Sequence, residues 1–225
     1  KYYGDSLPDW VRAFNDRRLP HSWAGKSWDL LLDASQYPEP DTVVTEAGGR
    51  DYVFPHMLSS DPARAAADLR GTPMMDQFTV SFALEGVRQM RLGLGPQTDL
   101  LAVSLSATDA VGHSYGPDSR EIHDQILRLD RTLGAFFDSL FAMRDSTRIV
   151  FALTADHAVT PLPGTKSRYP NQGAGSVNLG PAIVQIFASL RAAGVDTSSF
   201  SFDEGILYLD EAALTKAGLR ADAVT

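Results

Sequence analysis

Leu100-Leu101-Ala102-Val103-Ser104-Leu105 runs into Ser106-Ala107-Thr108-Asp109-Ala110-Val111-Gly112-His113, and Arg148-Ile149-Val150-Phe151-Ala152-Leu153 runs into Thr154-Ala155-Asp156-His157. Each stretch begins as a short apolar, partly β-branched run of the kind that forms a buried strand of a parallel sheet. Each ends by delivering one carboxylate and one imidazole. Between them, residues 118–141 carry Ile122, Ile126, Leu129, Leu133, Phe136, Phe137 and Leu140 at helical spacing, with Asp118 as the expected N-cap and Glu121 as its capping-box partner. The whole reads as a β-α-β crossover. Right-handed connection then brings both strand tips to one sheet edge, the edge where open α/β sheets bind ligands.

The donors at those tips suit a metal ion. Carboxylate and neutral imidazole form the usual ligand mix of catalytic zinc. Asp109 and His113 stand four apart, so in a helical turn they share one side and can meet one ion. Asp156 and His157 are adjacent, and a regular strand would turn them to opposite faces. They can both point inward only where the strand becomes irregular. Neither pair alone completes a tetrahedral site.

Around this centre the chain is read in three parts. Residues 1–70 hold all three tryptophans, Trp10, Trp23 and Trp28, with a short helix expected over 7–17, loop over 37–55 and another helix over 62–69. They are expected to form a cap-like region on the edge of the catalytic domain. Residues 71–165 form the metal-ligand core and open with a helix over 75–92. Residues 166–225 form a lid loop and a small α+β excursion: a helix over 181–193, a hairpin of 199–202 with 206–209, a helix capped by Asp210 and ended by Gly218, and the start of a further helix at 220–225.

Composition limits the remaining readings. A chain of 225 residues is long enough to bury a full core. With 20 Lys and Arg against 28 Asp and Glu, the net charge is −8, which argues against nucleic-acid binding by charge. An anionic substrate would need a local device such as a metal. There is no cysteine, so neither a disulfide framework nor a thiolate zinc site is available. No apolar run reaches the length of a membrane span. The opening Lys1-Tyr2-Tyr3-Gly4-Asp5 resembles neither a signal peptide nor an initiator methionine.

The other polar candidates have ordinary readings. His123 is expected on the exposed side of its helix, with Arg128, Asp130 and Arg131 on a solvated or salt-bridged face. Thr108 and Thr154 are expected to support backbone at strand ends rather than act as nucleophiles. Lys166 and Arg168, in the long loop of residues 158–178, are expected to be solvated charges. His21 and His56 lie in the cap-like region without a recognisable ligand context.

Ser104-Leu105-Ser106-Ala107-Thr108-Asp109-Ala110-Val111-Gly112-His113-Ser114-Tyr115-Gly116-Pro117-Asp118-Ser119, then Leu127-Arg128-Leu129-Asp130-Arg131-Thr132-Leu133, then Leu153-Thr154-Ala155-Asp156-His157-Ala158 together resemble the alkaline phosphatase superfamily. The resemblance is strongest to its bacterial zinc-dependent branch with a threonine nucleophile, related to the nucleotide pyrophosphatase/phosphodiesterases. It is specific over residues 72–165 and looser elsewhere, including Tyr2-Tyr3-Gly4-Asp5-Ser6-Leu7-Pro8-Asp9-Trp10.

The resemblance implies an alkaline-phosphatase-like α/β fold, a mostly parallel sheet sandwiched by helices and incomplete at both ends. It implies two Zn2+ ions. Asp109 and His113 would bind the zinc on the leaving-group side, and Asp156 and His157 the zinc that activates the nucleophile. The reaction implied is hydrolysis of a small phosphate ester through a covalent phosphoenzyme, in a periplasmic or extracellular protein. The nucleophile, an upstream aspartate and a later histidine have no match here, so the chain is expected to be an internal fragment, inactive alone. A phosphomonoesterase is the leading reading, and a phosphodiesterase or nucleotide pyrophosphatase on the same scaffold is its rival. A mutase of the superfamily ranks third, and a non-catalytic binding module is the alternative outside enzymes.

Overall fold

In the computed structural model, α1 (Asp9–Asp16) lays Trp10 and Phe14 on Phe82, with ring centroids 5.3 and 5.1 Å apart. The structure describes residues 4–163, 165, 175, 177–203 and 205–220. After α1, β1 (Ser27–Trp28) pairs antiparallel with β2 (His56–Met57), setting Trp28 opposite His56. Next comes α2 (Pro62–Asp68), where Pro62 fits a first-turn position and Asp61 accepts the Arg64 N–H at 2.8 Å. Then follow α3 (Met74–Gln89), α4 (Ala107–Tyr115) and the long α5 (Arg120–Met143).

These elements belong to one unit, Lys1–Ala174, with two apolar clusters. In the first, Trp28, Leu58, Leu69 and Met74 close around Val111 and Tyr115 of α4. Full burial of a side chain such as Leu69 or Met74 contributes roughly 1.5–3 kcal/mol. In the second, Val80 and Val87 of α3 meet Phe136 and Leu140 of α5. The buried Asp124 of α5 ties the amino-terminal region down. It accepts the Trp28 indole N–H at 2.7 Å, the Leu31 N–H at 2.7 Å and the Tyr37 hydroxyl at 2.6 Å, and Arg128 Nε lies 2.6 Å away. A carboxylate so fully hydrogen-bonded is tolerated in a core.

Two details differ from the sequence reading. Residues 100–105 and 149–153 form no regular secondary structure and no ladder with each other; the strand pairs among the described residues are two short antiparallel ones. Their inner faces do pack, with Val103, Leu105 and Ile149 against the α3–α5 cluster. Their outer faces stay open, with Leu100, Val150 and Leu153 exposed by 91%, 94% and 85%. Apolar patterning selects the buried face, whereas a ladder also needs a strand about 4.8 Å to the side. The cap of α5 is also shifted by one residue. Ser119, not Asp118, accepts the Ile122 N–H, at 3.1 Å, and Glu121 turns into the core instead of back to the cap.

The second unit, Gly175–Thr225, has its own small core of Leu190, Val195, Phe200 and Leu214. It comprises α6 (Gly180–Ala192), a hairpin of β3 (Ser201–Asp203) with β4 (Ile206–Tyr208), and α7 (Glu211–Lys216). Asp210 caps α7 by accepting the Ala212 and Ala213 N–H groups at 2.9 and 3.2 Å. Lys166 and Arg168, much of the 158–178 loop, and residues 221–225 of the expected last helix lie outside the described residues.

No described helix is long and apolar enough to cross a membrane.

Candidate functional site

Asp109 and His113 do fall on a helix, α4, and share its face as their spacing requires. His113 Nε2 lies 3.3 Å from Asp109 Oδ1. From the other side, His157 Nε2 reaches the same oxygen at 3.5 Å and Asp156 Oδ2 at 3.7 Å. Three of the four sequence-derived residues therefore meet at one carboxylate oxygen, with Asp156 at their edge. That oxygen is itself buried and accepts no hydrogen bond. A buried charged atom without a hydrogen bond is costly unless something else binds it.

Backbone contacts orient the second pair. The Asp156 carboxylate accepts its neighbour's N–H, His157 N, at 3.1 Å, holding the chain in a tight bend where both side chains can serve one site. His157 Nδ1 lies 3.1 Å from the Ala158 carbonyl oxygen, which can only accept. Nδ1 is thus the protonated nitrogen, and in the neutral ring Nε2 presents a lone pair to the cluster. The same carbonyl, then Asp156 and Asp109, raise the His157 pKa.

α4 is held at its amino end by groups that the sequence reading missed. Buried Asp76 of α3 accepts the Ala107 N–H at 3.2 Å and the Gln125 Nε2–H at 2.9 Å. Gln125 Nε2 also lies 3.0 Å from Thr108 Oγ1, one residue before Asp109. Burial raises the Asp76 pKa, and the bonds from Ala107 and Gln125 oppose that rise. A signal was present: Asp76 shares the core-facing stripe of its helix with Val80, Ala83 and Val87. Thr108 is thus engaged in support, and Thr154 donates to the Ala155 carbonyl at 3.1 Å.

Gly112 explains how the two segments can touch. A Cβ there would lie 2.7 Å from Val159 Cγ2, so glycine leaves the space that the Val159 side chain fills against α4. Elsewhere, His123 is not a free surface residue. It pairs with Glu39 at 3.0 Å and packs on the Tyr37 ring with centroids 4.9 Å apart.

The donor chemistry fits zinc: two imidazoles and two carboxylates, with one orphaned carboxylate oxygen at the centre. Yet among the described residues no group of three or more His, Asp or Glu side chains is placed to hold a metal ion. The site is open to solvent, with the His113 and His157 side chains exposed by 72% and 53%.

The family model described as type I phosphodiesterase/nucleotide pyrophosphatase matches residues 10–192. The alkaline phosphatase PhoV of Synechococcus elongatus is 36% identical over 168 residues, which is 72% of this chain and 30% of that protein. The alkaline phosphatase PafA of Elizabethkingia meningoseptica is 34% identical over 69% of this chain and 30% of its own length. A crystal structure of wild-type alkaline phosphatase PafA superposes with a TM-score of 0.70 at 28% identity, covering 99% of this chain and 44% of that one. The chain thus spans about 30% of the length of these curated relatives. Its architecture is the alkaline-phosphatase-like α/β fold, present in part, and the chain belongs to the type I phosphodiesterase/nucleotide pyrophosphatase family of the alkaline phosphatase superfamily.

Proposed function

We propose that this chain is the central, ligand-bearing part of a longer two-zinc hydrolase that cleaves small phosphate monoesters. The observation that carries the reading is the orphaned Asp109 Oδ1, buried without a hydrogen bond and approached by His113 Nε2 and His157 Nε2 at 3.3 and 3.5 Å. Asp109 with His113, and Asp156 with His157, would each hold part of one zinc site. Zinc bound there would supply Lewis-acid stabilisation of the attacking and leaving oxygens at phosphorus. The chain's own residues supply placement. Ala158 fixes the nitrogen that His157 presents, Asp76 and Gln125 seat the helix that carries Asp109, and Gly112 lets the two segments close.

Residues 1–70 are read as peripheral support for this core, and the elements between residues 180 and 216 as a small α+β excursion. The covalent phosphoenzyme requires a nucleophile that we place outside this chain. The isolated chain is accordingly read as inactive. A monoesterase is favoured because two of the three long matches are to proteins named alkaline phosphatases, the third being to a protein of Myroides odoratus named a calcium-transporting ATPase. A phosphodiesterase reading draws on the family description and on a 32% identical match to mouse ectonucleotide pyrophosphatase/phosphodiesterase family member 7, which covers 32% of this chain. A periplasmic or extracellular location rests on the family resemblance alone.

The test is an anomalous-difference map at the zinc edge from crystals of the full-length protein, with turnover of p-nitrophenyl phosphate against its bis-ester. Two peaks about 4 Å apart on the two pairs, with the monoester preferred, are expected. Peaks elsewhere would remove the metal assignment, and preference for the bis-ester would move it to the diesterase.

A further inference from the structure

Beneath the other end of α4 lies a second polar cluster that the zinc site does not use. His56 of β2 is buried between two carboxylates, with Nε2 3.1 Å from Glu121 Oε1 and Nδ1 3.1 Å from Asp51 Oδ1. The Tyr115 hydroxyl, at the last residue of α4, lies 3.5 Å from His56 Nδ1. Since carboxylates accept, both ring nitrogens are placed to donate, as in an imidazolium. Burial opposes that charge, and the bonds from Glu121 and Asp51 outweigh it and raise the His56 pKa.

Glu46 completes the group. It opens the tight turn Glu46–Gly49, in which Ala47, Gly48 and Gly49 take φ values of +46°, +63° and +75°. A left-handed alanine between a glutamate and two glycines is strained backbone, kept only where the surroundings enforce it. Here the turn presses Ala47 onto the core that includes Val111 and Tyr115 of α4. It also buries the Glu46 side chain, whose Oε2 has no hydrogen bond, as Oε2 of Glu121 has none. The charged and titratable groups that face Glu46 are Glu121 of α5, His56 of β2, Asp41 of the preceding loop and Tyr115 of α4, while Asp51 faces His56 and Tyr115. The cation of Arg120 is 3.5 Å from Asp41, and no ion pair reaches Glu46 among the described residues. Ionised Glu46, Glu121, Asp41 and Asp51 would outnumber His56 and Arg120 by two charges, and a proton on the buried Glu46 removes one of them.

We propose that Glu46 is a positioning residue that works as the neutral acid, and that ionising it loosens the seat of α4 and with it the Asp109–His113 pair. Its bearing on catalysis rests on the zinc reading above. Burial first, then the charge of Glu121, push the Glu46 pKa up to about 8. Below that pH the uncharged carboxyl tolerates the core; above it, a second buried anion faces Glu121, and the strained turn has reason to open. α4 then loses a wall behind Val111 and Tyr115, and Asp109 and His113 lose their shared orientation.

The experiment uses the full-length protein and the variants Glu46→Gln and Glu46→Ala, from about pH 6 to pH 10. Infrared difference spectra should show a buried carboxylic-acid band that vanishes with a midpoint near pH 8 and is missing from Glu46→Gln. Zinc affinity of the wild type should then fall about tenfold relative to Glu46→Gln across that midpoint, the equivalent of one pKa unit. The amide matches the neutral acid in shape, so Glu46→Gln should hold zinc evenly, while Glu46→Ala should bind weakly at every pH. Absence of a titrating band attributable to Glu46 would overturn the protonation. A band that titrates while the two zinc curves stay parallel would overturn the positioning role. Because the band is read without zinc, a failed metal assignment would show itself separately.

Discussion

Oδ1 of Asp109 lies 3.5 Å from Nε2 of His157, joining the two ends of the crossover at one atom. If that oxygen is a ligand, removing its charge should empty the site rather than merely weaken it. Asp109→Asn in the full-length protein should lower zinc affinity by on the order of 100-fold or more, since even groups behind a ligand cost 10- to 100-fold. Equilibrium dialysis against zinc checks this, with His123→Ala, paired to Glu39 away from the cluster, as the variant that leaves affinity unchanged. An unaltered zinc stoichiometry in Asp109→Asn would remove Asp109 from the site.

Gly112→Ala should destabilise, although alanine is the better helix former by roughly 1 kcal/mol. The added Cβ would lie 2.7 Å from Val159, and overpacking of that kind costs about 1–3 kcal/mol. Urea titration of Gly112→Ala, and of the double variant with Val159→Ala, separates the two effects. The second substitution should restore most of the loss. If it restores nothing, the close approach of the two ligand segments is not what the glycine permits.

The features that the sequence made legible were local. Asp109 and His113 announced a shared helix face by spacing, and the apolar stripe of residues 118–141 announced the long helix that became α5. What stayed hidden was long-range and polar. His56 meets Glu121 across 65 positions and Asp76 meets Ala107 across 31, and no periodicity links such partners. Glu121 has the spacing of a capping residue, because its distance from a plausible cap is a local cue and its burial against His56 is not. The apolar runs at 100–105 and 149–153 showed which side packs, but pairing depends on neighbours that alternation cannot reveal.

Stability should fall as pH rises through the neutral range. Glu46 has its folded pKa raised from 4.5 to about 8, so the folded state holds a proton that the unfolded chain releases earlier. Its contribution is complete below about pH 4.5 and is lost progressively up to about pH 8. His56, also raised, adds loss in the same direction from about pH 6.5 upward. Thermal melts across this range should show a declining midpoint, and Glu46→Gln should flatten the part below about pH 8. A midpoint that climbs with pH in the wild type would contradict the assignment.

The outer faces of residues 100–105 and 149–153 carry Leu100, Val150 and Leu153 almost fully exposed. Strand edges and apolar faces of that kind call for neighbours. Amide exchange in these segments should be fast in this chain by itself and slower by on the order of 10³-fold or more in the full-length protein, where additional strands would protect each N–H. Equal exchange in both would mean that no strand pairs there.

Asp76 offers the sharpest separation between seat and ligand, because it touches α4 without touching Asp109 or His113. Asp76→Ala removes the acceptor for the Ala107 N–H and for Gln125, two buried donors whose loss costs about 1–3 kcal/mol each. Asp76→Asn keeps an oxygen for Ala107, and rotation of the Gln125 amide can turn its unpartnered Oε1 toward the new NH2 group. The asparagine variant should therefore stay within about 1 kcal/mol of the wild type, while the alanine variant should lose several times as much. Chemical denaturation measures both. Zinc binding adds the functional reading: Asp76→Ala should lose affinity because α4 no longer starts in place, and Asp76→Asn should retain it. Equal losses in the two variants would show that the carboxylate charge, rather than the oxygen offered to Ala107, holds the helix.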